Sequence, residues 1–144
     1  MNKIFPAESD HPLFRYCTDD ERARIEHIAE LRRVSEGEFL IRAGDNDSTL
    51  FAVDDGHLDI VAQRDNHSVT VATVGPGDVL GEVSFLDDSP RTVSVVAGED
   101  AVVRAWDKRT LSEALAFDPQ LLAKFAVALC ELLVERLRDV SRRV

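Results

Sequence analysis

Basic side chains are scarce in this sequence: 17 Lys and Arg stand against 27 Asp and Glu, a formal net charge of −10 over 144 residues. That deficit argues against a generic nucleic-acid binder or a partner of anionic membrane surfaces, both of which require an excess of positive charge. Cysteine is scarcer still. Cys17 and Cys130 lie far apart, and neither belongs to a CxxC pair or a Cys/His cluster. The plain reading is a cytoplasmic protein with two reduced thiols. Residues 1–10 (MNKIFPAESD) lack the apolar run of a signal peptide. The longest uninterrupted apolar run near the C-terminus, Phe125 to Cys130, is far short of the ~20 residues of a membrane span. The four histidines, His11, His27, His57 and His67, are scattered, so the clustered His-x-His and Glu ligands of a cupin-type metal site are missing. Linkers, repeats and low-complexity segments are also missing.

What is present fits one domain, residues 1–144, long enough to bury roughly two-thirds of its unfolded surface in a single core. Residues 11–33 read as helical. Thr18 and Glu21 form a capping-box pattern, and Ile25, Ile28, Ala29 and Leu31 follow at helical spacing. Residues 34–107 change character. Short β-branched and aromatic runs occur at 38–42, 49–53, 57–62, 68–74, 92–97 and 101–106, separated by turn signals such as Asp54-Asp55-Gly56 and Gly75-Pro76-Gly77-Asp78. This pattern predicts an all-β sandwich or roll. Over 108–144 the helical period returns. Leu111, Leu115 and Ala116 suggest a short helix ending near Asp118-Pro119. A longer one carries Leu122, Phe125, Leu129, Leu133, Leu137, Val140 and Val144 on one stripe. That stripe can pack on its own β-domain, form a dimer seam, or connect to a further domain. The arginines at 136, 138, 142 and 143 suit the negative end of a helix dipole.

One segment carries chemistry. Gly81 follows a loop and precedes Glu82-Val83-Ser84-Phe85-Leu86, a stretch of one helical turn whose free N–H groups can receive an anion. Arg91 is the one Lys or Arg from Asp65 through Val103, among seven acids. On its own it reads equally well as a structural partner of Asp87 or Asp88. Net charge alone speaks against a phosphate ligand, but it governs long polyanions. A monoanion in a pocket needs only one arginine and a few backbone N–H groups.

The segment resembles the phosphate-binding cassette of the cyclic nucleotide-binding domain family, the β-roll of catabolite activators and kinase regulatory subunits. Gly81, Glu82, Val83, Ser84, Phe85 and Leu86, then Pro90, Arg91 and Thr92, stand at the family's spacing. Gly37–Asp45, Leu50–Val53 with Gly56, and Val74–Asp78 match the flanking strands and turns, so the likeness covers roughly residues 12–140. It implies a mainly-β fold: an eight-stranded β-roll (double-stranded β-helix, or jelly roll) with N-terminal helices, a cassette at 81–92 and a long C-terminal helix. It implies that Arg91 holds a cyclic phosphate through its fixed fork of donors, helped by backbone N–H groups around Val83 and Ser84. Glu82 would accept from the ribose 2′-hydroxyl, and Thr92 would donate to phosphate or base. Val61, Val71 and the final helix would contact the base, with adenine the default and guanine or a pyrimidine open. Ser84 replaces the usual alanine, and Leu80 stands where an aromatic residue is common.

The implied activity is that of a sensor and not an enzyme, since Ser89 and Ser94 have no base beside them in sequence. No cofactor or metal is implied. The partners implied are a cyclic mononucleotide and, through the C-terminal helix, a second copy or an effector domain. Neither nucleic acid nor a membrane segment is expected. An Arg91→Ala change is expected to remove binding and spare the fold. The competing readings are a ligand-free dimerisation scaffold and a cupin-like metalloenzyme.

Overall fold

A computed structural model describes residues 11–142. A single 3-10 turn, Pro12–Phe14, is followed by α1, Asp19–Ile28. The capping box that starts α1 is formed in both directions: the Glu21 N–H donates to the Thr18 hydroxyl, and the Thr18 N–H donates to the Glu21 carboxylate. The helix stops earlier than its apolar period predicts. Ala29 is extended, and Glu30–Val34 forms strand β1, antiparallel to residues 101–105. Ladder pairing there outweighs the local helical pattern.

The remaining strands are β2 (Phe39–Ile41), β3 (Thr49–Asp55), β4 (Leu58–Arg64), β5 (His67–Val74), β6 (Val79–Leu80), β7 (Ser94–Ala97) and β8 (Ala101–Asp107). They form two four-stranded antiparallel sheets, ordered β1-β8-β3-β6 and β2-β7-β4-β5. This is the eight-stranded roll implied above, with helices at both ends of the chain. Helix α2, Glu82–Asp87, lies between β6 and β7. Helices α3, Lys108–Ala114, and α4, Pro119–Arg142, follow the roll.

Two buried clusters hold this arrangement. Between the sheets pack Val34, Ile41, Phe51, Val53, Leu58, Leu80, Val95 and Val103. The second cluster joins the roll to its helices through Leu13, Phe14, Ile25, Leu50, Phe85, Trp106, Leu111, Leu121, Phe125 and Leu129. The Phe125 ring lies tilted 5.7 Å from Trp106 and 6.3 Å from Phe14, centroid to centroid, the spacing of favourable aromatic pairs. Trp106 is therefore core, and its indole N–H donates to the Ile25 carbonyl at 2.8 Å.

Helix α4 uses its predicted stripe only in part. Phe125 and Leu129 are buried and Leu122 packs against the same cluster, but Leu137 is exposed. The side chain of Val140, and Val144, lie outside the described residues, as do the Arg142 side chain and Arg143. No helix among the described residues is long and apolar enough to cross a membrane.

Candidate functional site

Strand β6 ends at Gly81, which takes a left-handed conformation (φ 79°) and becomes the N-cap of α2. No side chain caps this helix. Its first intrahelical bond runs from Phe85 N–H to the Gly81 carbonyl at 3.1 Å. The amides of Glu82, Val83 and Ser84 therefore precede the helical ladder. Glycine is required here for two reasons. Its φ is costly for any L side chain, and an added Cβ would stand 2.6 Å from Nη1 of Arg91 and 2.8 Å from the Thr49 carbonyl oxygen.

Arg91 sits under that turn. Its main chain is held on both sides, by Arg91 N–H to the Asp45 carbonyl and Gly44 N–H to the Arg91 carbonyl, each 2.8 Å. Its side chain is only 3% exposed. Nη2 donates to the Thr49 carbonyl at 2.6 Å and to Asp47 at 3.1 Å, while Nη1 donates to the Gly81 carbonyl at 3.2 Å. The third nitrogen, Nε, is buried without an acceptor. A buried donor left unmade costs ~1–3 kcal/mol, so an acceptor is expected there.

The carboxylates near Arg91 are assigned elsewhere. Asp87 accepts from the Ser89 N–H, and Asp88 binds Ser48 and Lys108. Neither is the partner of Arg91 that the sequence suggests; Asp47 is. Burial opposes ionisation of Asp47, but hydrogen bonds from Thr49 and Arg91 and the guanidinium charge hold its carboxyl below the usual carboxylate range. The bonds to Thr49 and Gly81 also make Arg91 part of the folded framework. Arg91→Ala must therefore cost stability as well as any ligand contact, which corrects the expectation that the fold is spared.

These groups line one cavity. Gly81, Glu82, Val83, Ser84, Arg91 and Thr92 form its polar side, and Ile41, Ile60, Leu80, Val93 and Val95 its apolar side. The six cassette residues singled out in the sequence are thus brought together. Val61 and Val71 are not among the lining residues. Strand alternation puts Val61 on the face opposite Ile60. The β4–β5 register jumps there, with Ile60 facing Ala72 and Val61 facing Thr70. Val71 is left as a bulged residue, and it is exposed. A bulge leaves no mark in the hydrophobic pattern, so alternation alone could not place these residues.

Arg136 also lines the cavity and was missed as a site residue. Helix α4 carries it over the cassette, where Nη1 donates to Glu82 at 2.5 Å and Nη2 to the Val79 carbonyl at 2.6 Å. The sequence offers only a cation near a helix end; its reach across 54 positions is a tertiary fact. The histidines do not gather. His11 donates from Nε2 to the Gly77 carbonyl at 2.8 Å, His57 faces Glu99, and no group of three metal-ligating side chains is found among the described residues.

The fold defines a double-stranded β-helix with a short helix inserted after β6. A family model described as "Cyclic nucleotide-binding domain" matches residues 31–118. The chain belongs to the cyclic nucleotide-binding domain family. It is 33% identical over 98 residues to the cAMP-dependent protein kinase regulatory subunit of Mycosarcoma maydis, covering 66% of this chain and 19% of that protein. Among solved structures, the catabolite activator protein of Thermus thermophilus superposes with a TM-score of 0.81 at 27% identity, covering 92% of this chain and 61% of that one. A cyclic nucleotide-binding domain from Methylobacillus flagellatus gives a TM-score of 0.81 at 25% identity, over 88% of this chain and 72% of that one. The chain spans only about a fifth of the kinase regulatory subunits it matches.

Proposed function

We propose that this domain binds a cyclic mononucleotide in the cassette cavity and acts as a cytoplasmic sensor, not a catalyst. The observation that carries the reading is the buried Nε of Arg91, a charged donor without an acceptor on the wall of a cavity that also receives the N-terminus of α2. A cyclic phosphate supplies the acceptor, and its single charge matches one arginine and the free amides of Val83 and Ser84. Glu82 accepts from the ribose 2′-hydroxyl. The apolar wall of Ile41, Ile60 and Val95 suits the sugar and base faces, with Thr92 at the rim. Cyclic AMP is the expected ligand.

Signal output runs through α4. Ribose engaging Glu82 competes with Arg136 for the same carboxylate, so occupancy and helix position are coupled. The coupling extends only as far as the ligand's affinities for the two arrangements differ. The output reaches a second copy or an effector domain.

Calorimetric titration with cyclic AMP, GMP, UMP and CMP tests the reading. Saturable one-site binding of at least one of them is expected. Absence of heat and of thermal stabilisation with all four at millimolar concentration refutes it in favour of a ligand-free scaffold. Hydrogen exchange over residues 119–142 should change at saturating ligand, and unchanged protection refutes the coupling.

A further inference from the structure

Between α2 and Arg91 the chain passes through Asp88, Ser89 and Pro90 alone. Their course sets how far Glu82, Val83 and Ser84, carried by α2, stand from the guanidinium. Asp88 takes a left-handed conformation (φ 58°), and its N–H closes α2 by donating to the Ser84 carbonyl at 2.9 Å. That backbone is costly for a residue with a Cβ, and it persists where its surroundings hold it. Two groups from distant elements do so. The Ser48 hydroxyl donates to one Asp88 carboxylate oxygen at 2.7 Å, and the Lys108 ammonium to the other at 3.0 Å. These bonds keep the Asp88 carboxyl below the usual carboxylate range. Lys108 also donates to the Leu86 carbonyl at 3.3 Å, at the end of α2 where carbonyls lack helical partners and a cation is favoured. Lys108 is itself fixed. It is the first residue of α3, and its N–H donates to the Ser48 carbonyl at 3.1 Å.

We infer that Lys108 is a positioning residue for the anion site, setting the spacing between the α2 groups and Arg91 without touching the ligand. The inference rests on the cyclic-nucleotide reading above and adds to it a residue outside the cavity, since Lys108 is not among the lining side chains. The β2–β3 turn gives both halves of the cassette one support. Asp47 holds Arg91, and Ser48 beside it holds Asp88 and the Lys108 main chain. Lysine suits this junction, because its ammonium is a point charge with three donors, and Leu86 and Asp88 use two of them.

As a surface ion pair alone, Lys108 and Asp88 would matter little. Their side chains are 36% and 63% exposed, and pairs of that kind add little to global stability. Losing Lys108 should therefore show in ligand affinity and in α2, and hardly at all in the melt. Affinity is sensitive because one anion must meet Arg91 and the α2 groups at hydrogen-bond distance together.

Calorimetry with cyclic AMP on the full chain, beside hydrogen exchange on the ligand-free protein, tests this. Lys108→Met is expected to lower affinity about three- to tenfold. Lys108→Arg keeps the charge and the donors and should stay within about twofold of the unchanged protein. Asp88→Asn tolerates the left-handed backbone and still accepts from Ser48. It should weaken binding as Lys108→Met does, and the double variant should be no weaker than either single one. Circular dichroism melts of these variants should stay near that of the unchanged protein; should Lys108→Met alter the melt, Asp88→Asn is the second variant. Without ligand, the Phe85 and Asp88 amides, which donate to Gly81 and Ser84, should exchange faster in Lys108→Met and not in Lys108→Arg. If cyclic AMP does not bind the unchanged chain, the sensor reading fails, and exchange in α2 alone decides the role of Lys108. Undiminished affinity in Lys108→Met, unchanged α2 exchange, a Lys108→Arg protein as impaired as Lys108→Met, or additive losses in the double variant each overturns the inference.

Discussion

Replacing Arg91 by lysine and by alanine separates charge from geometry at the cavity wall. In the folded protein two guanidinium nitrogens already serve Thr49, Asp47 and Gly81, and the third is buried without an acceptor. Lysine carries the same charge on one nitrogen, so it cannot hold the Thr49 and Gly81 carbonyls and reach a phosphate as well. Charge-assisted hydrogen bonds contribute ~1.5–3 kcal/mol each. Of the five guanidinium N–H groups, the one on Nε and the second on Nη1 remain for a ligand, and losing both in Arg91→Ala lowers cyclic-nucleotide affinity by about two to four orders of magnitude. Arg91→Lys keeps roughly one and falls by about one to two orders. Both variants are less stable, because the Thr49 and Gly81 carbonyls lose a donor at ~1–3 kcal/mol per buried group. Calorimetry at low temperature, with a denaturant melt beside it, separates the two effects. Wild-type affinity in a folded Arg91→Ala protein would refute the reasoning, because the phosphate would then be held by something else.

Three further outcomes follow from the same site. A 2′-deoxy cyclic nucleotide should bind about ten- to a hundredfold more weakly than its ribose parent, and Glu82→Ala should erase that difference; a discrimination that survives in Glu82→Ala places the ribose away from this residue. Gly81→Ala should lower stability by about 1–3 kcal/mol in chemical denaturation, because its Cβ falls on Arg91 and the Thr49 carbonyl, and it should weaken binding as well. Asp47 is held below its ordinary pKa in the folded state. Its contribution to stability is therefore complete above the ordinary carboxylate range and is lost as pH falls through the depressed folded value. Asp47→Asn should show a shallower loss of stability on acidification than the unchanged protein, and parallel pH profiles would contradict the Arg91–Asp47 pair.

How far the sequence could be read depends on the range of each signal. The capping box at Thr18 and Glu21 acts within one turn, and it formed as its residues specify. The turn-punctuated runs of 38–106 became six of the strands, because a half-buried strand is set by its own alternation and its neighbouring turns. Strand β1 was hidden inside a helical pattern, and two-residue β6 inside a turn, because only pairing with β8 and β3 makes them strands. The same division runs through the site. Six cassette residues are contiguous or nearly so and were legible together. Ile60, Asp47 and Arg136 reach the site from β4, from the β2–β3 turn and from α4.

The sequence by itself determined the family, the roll and the identity of the anion-facing segment, since those depend on local residue types at fixed spacing. Even the excess of acid was already legible as no obstacle to a single buried anion. Only the tertiary structure decided that Arg91 belongs to the framework as well as the cavity wall, that Glu82 is held by Arg136, and that Lys108 joins the end of α2 to the start of α3. Each of these rests on side chains far apart in the chain meeting at hydrogen-bond or packing distance. Bulges, crossovers and the rotation of a helix on its sheet set such distances, and none of them has a local signature.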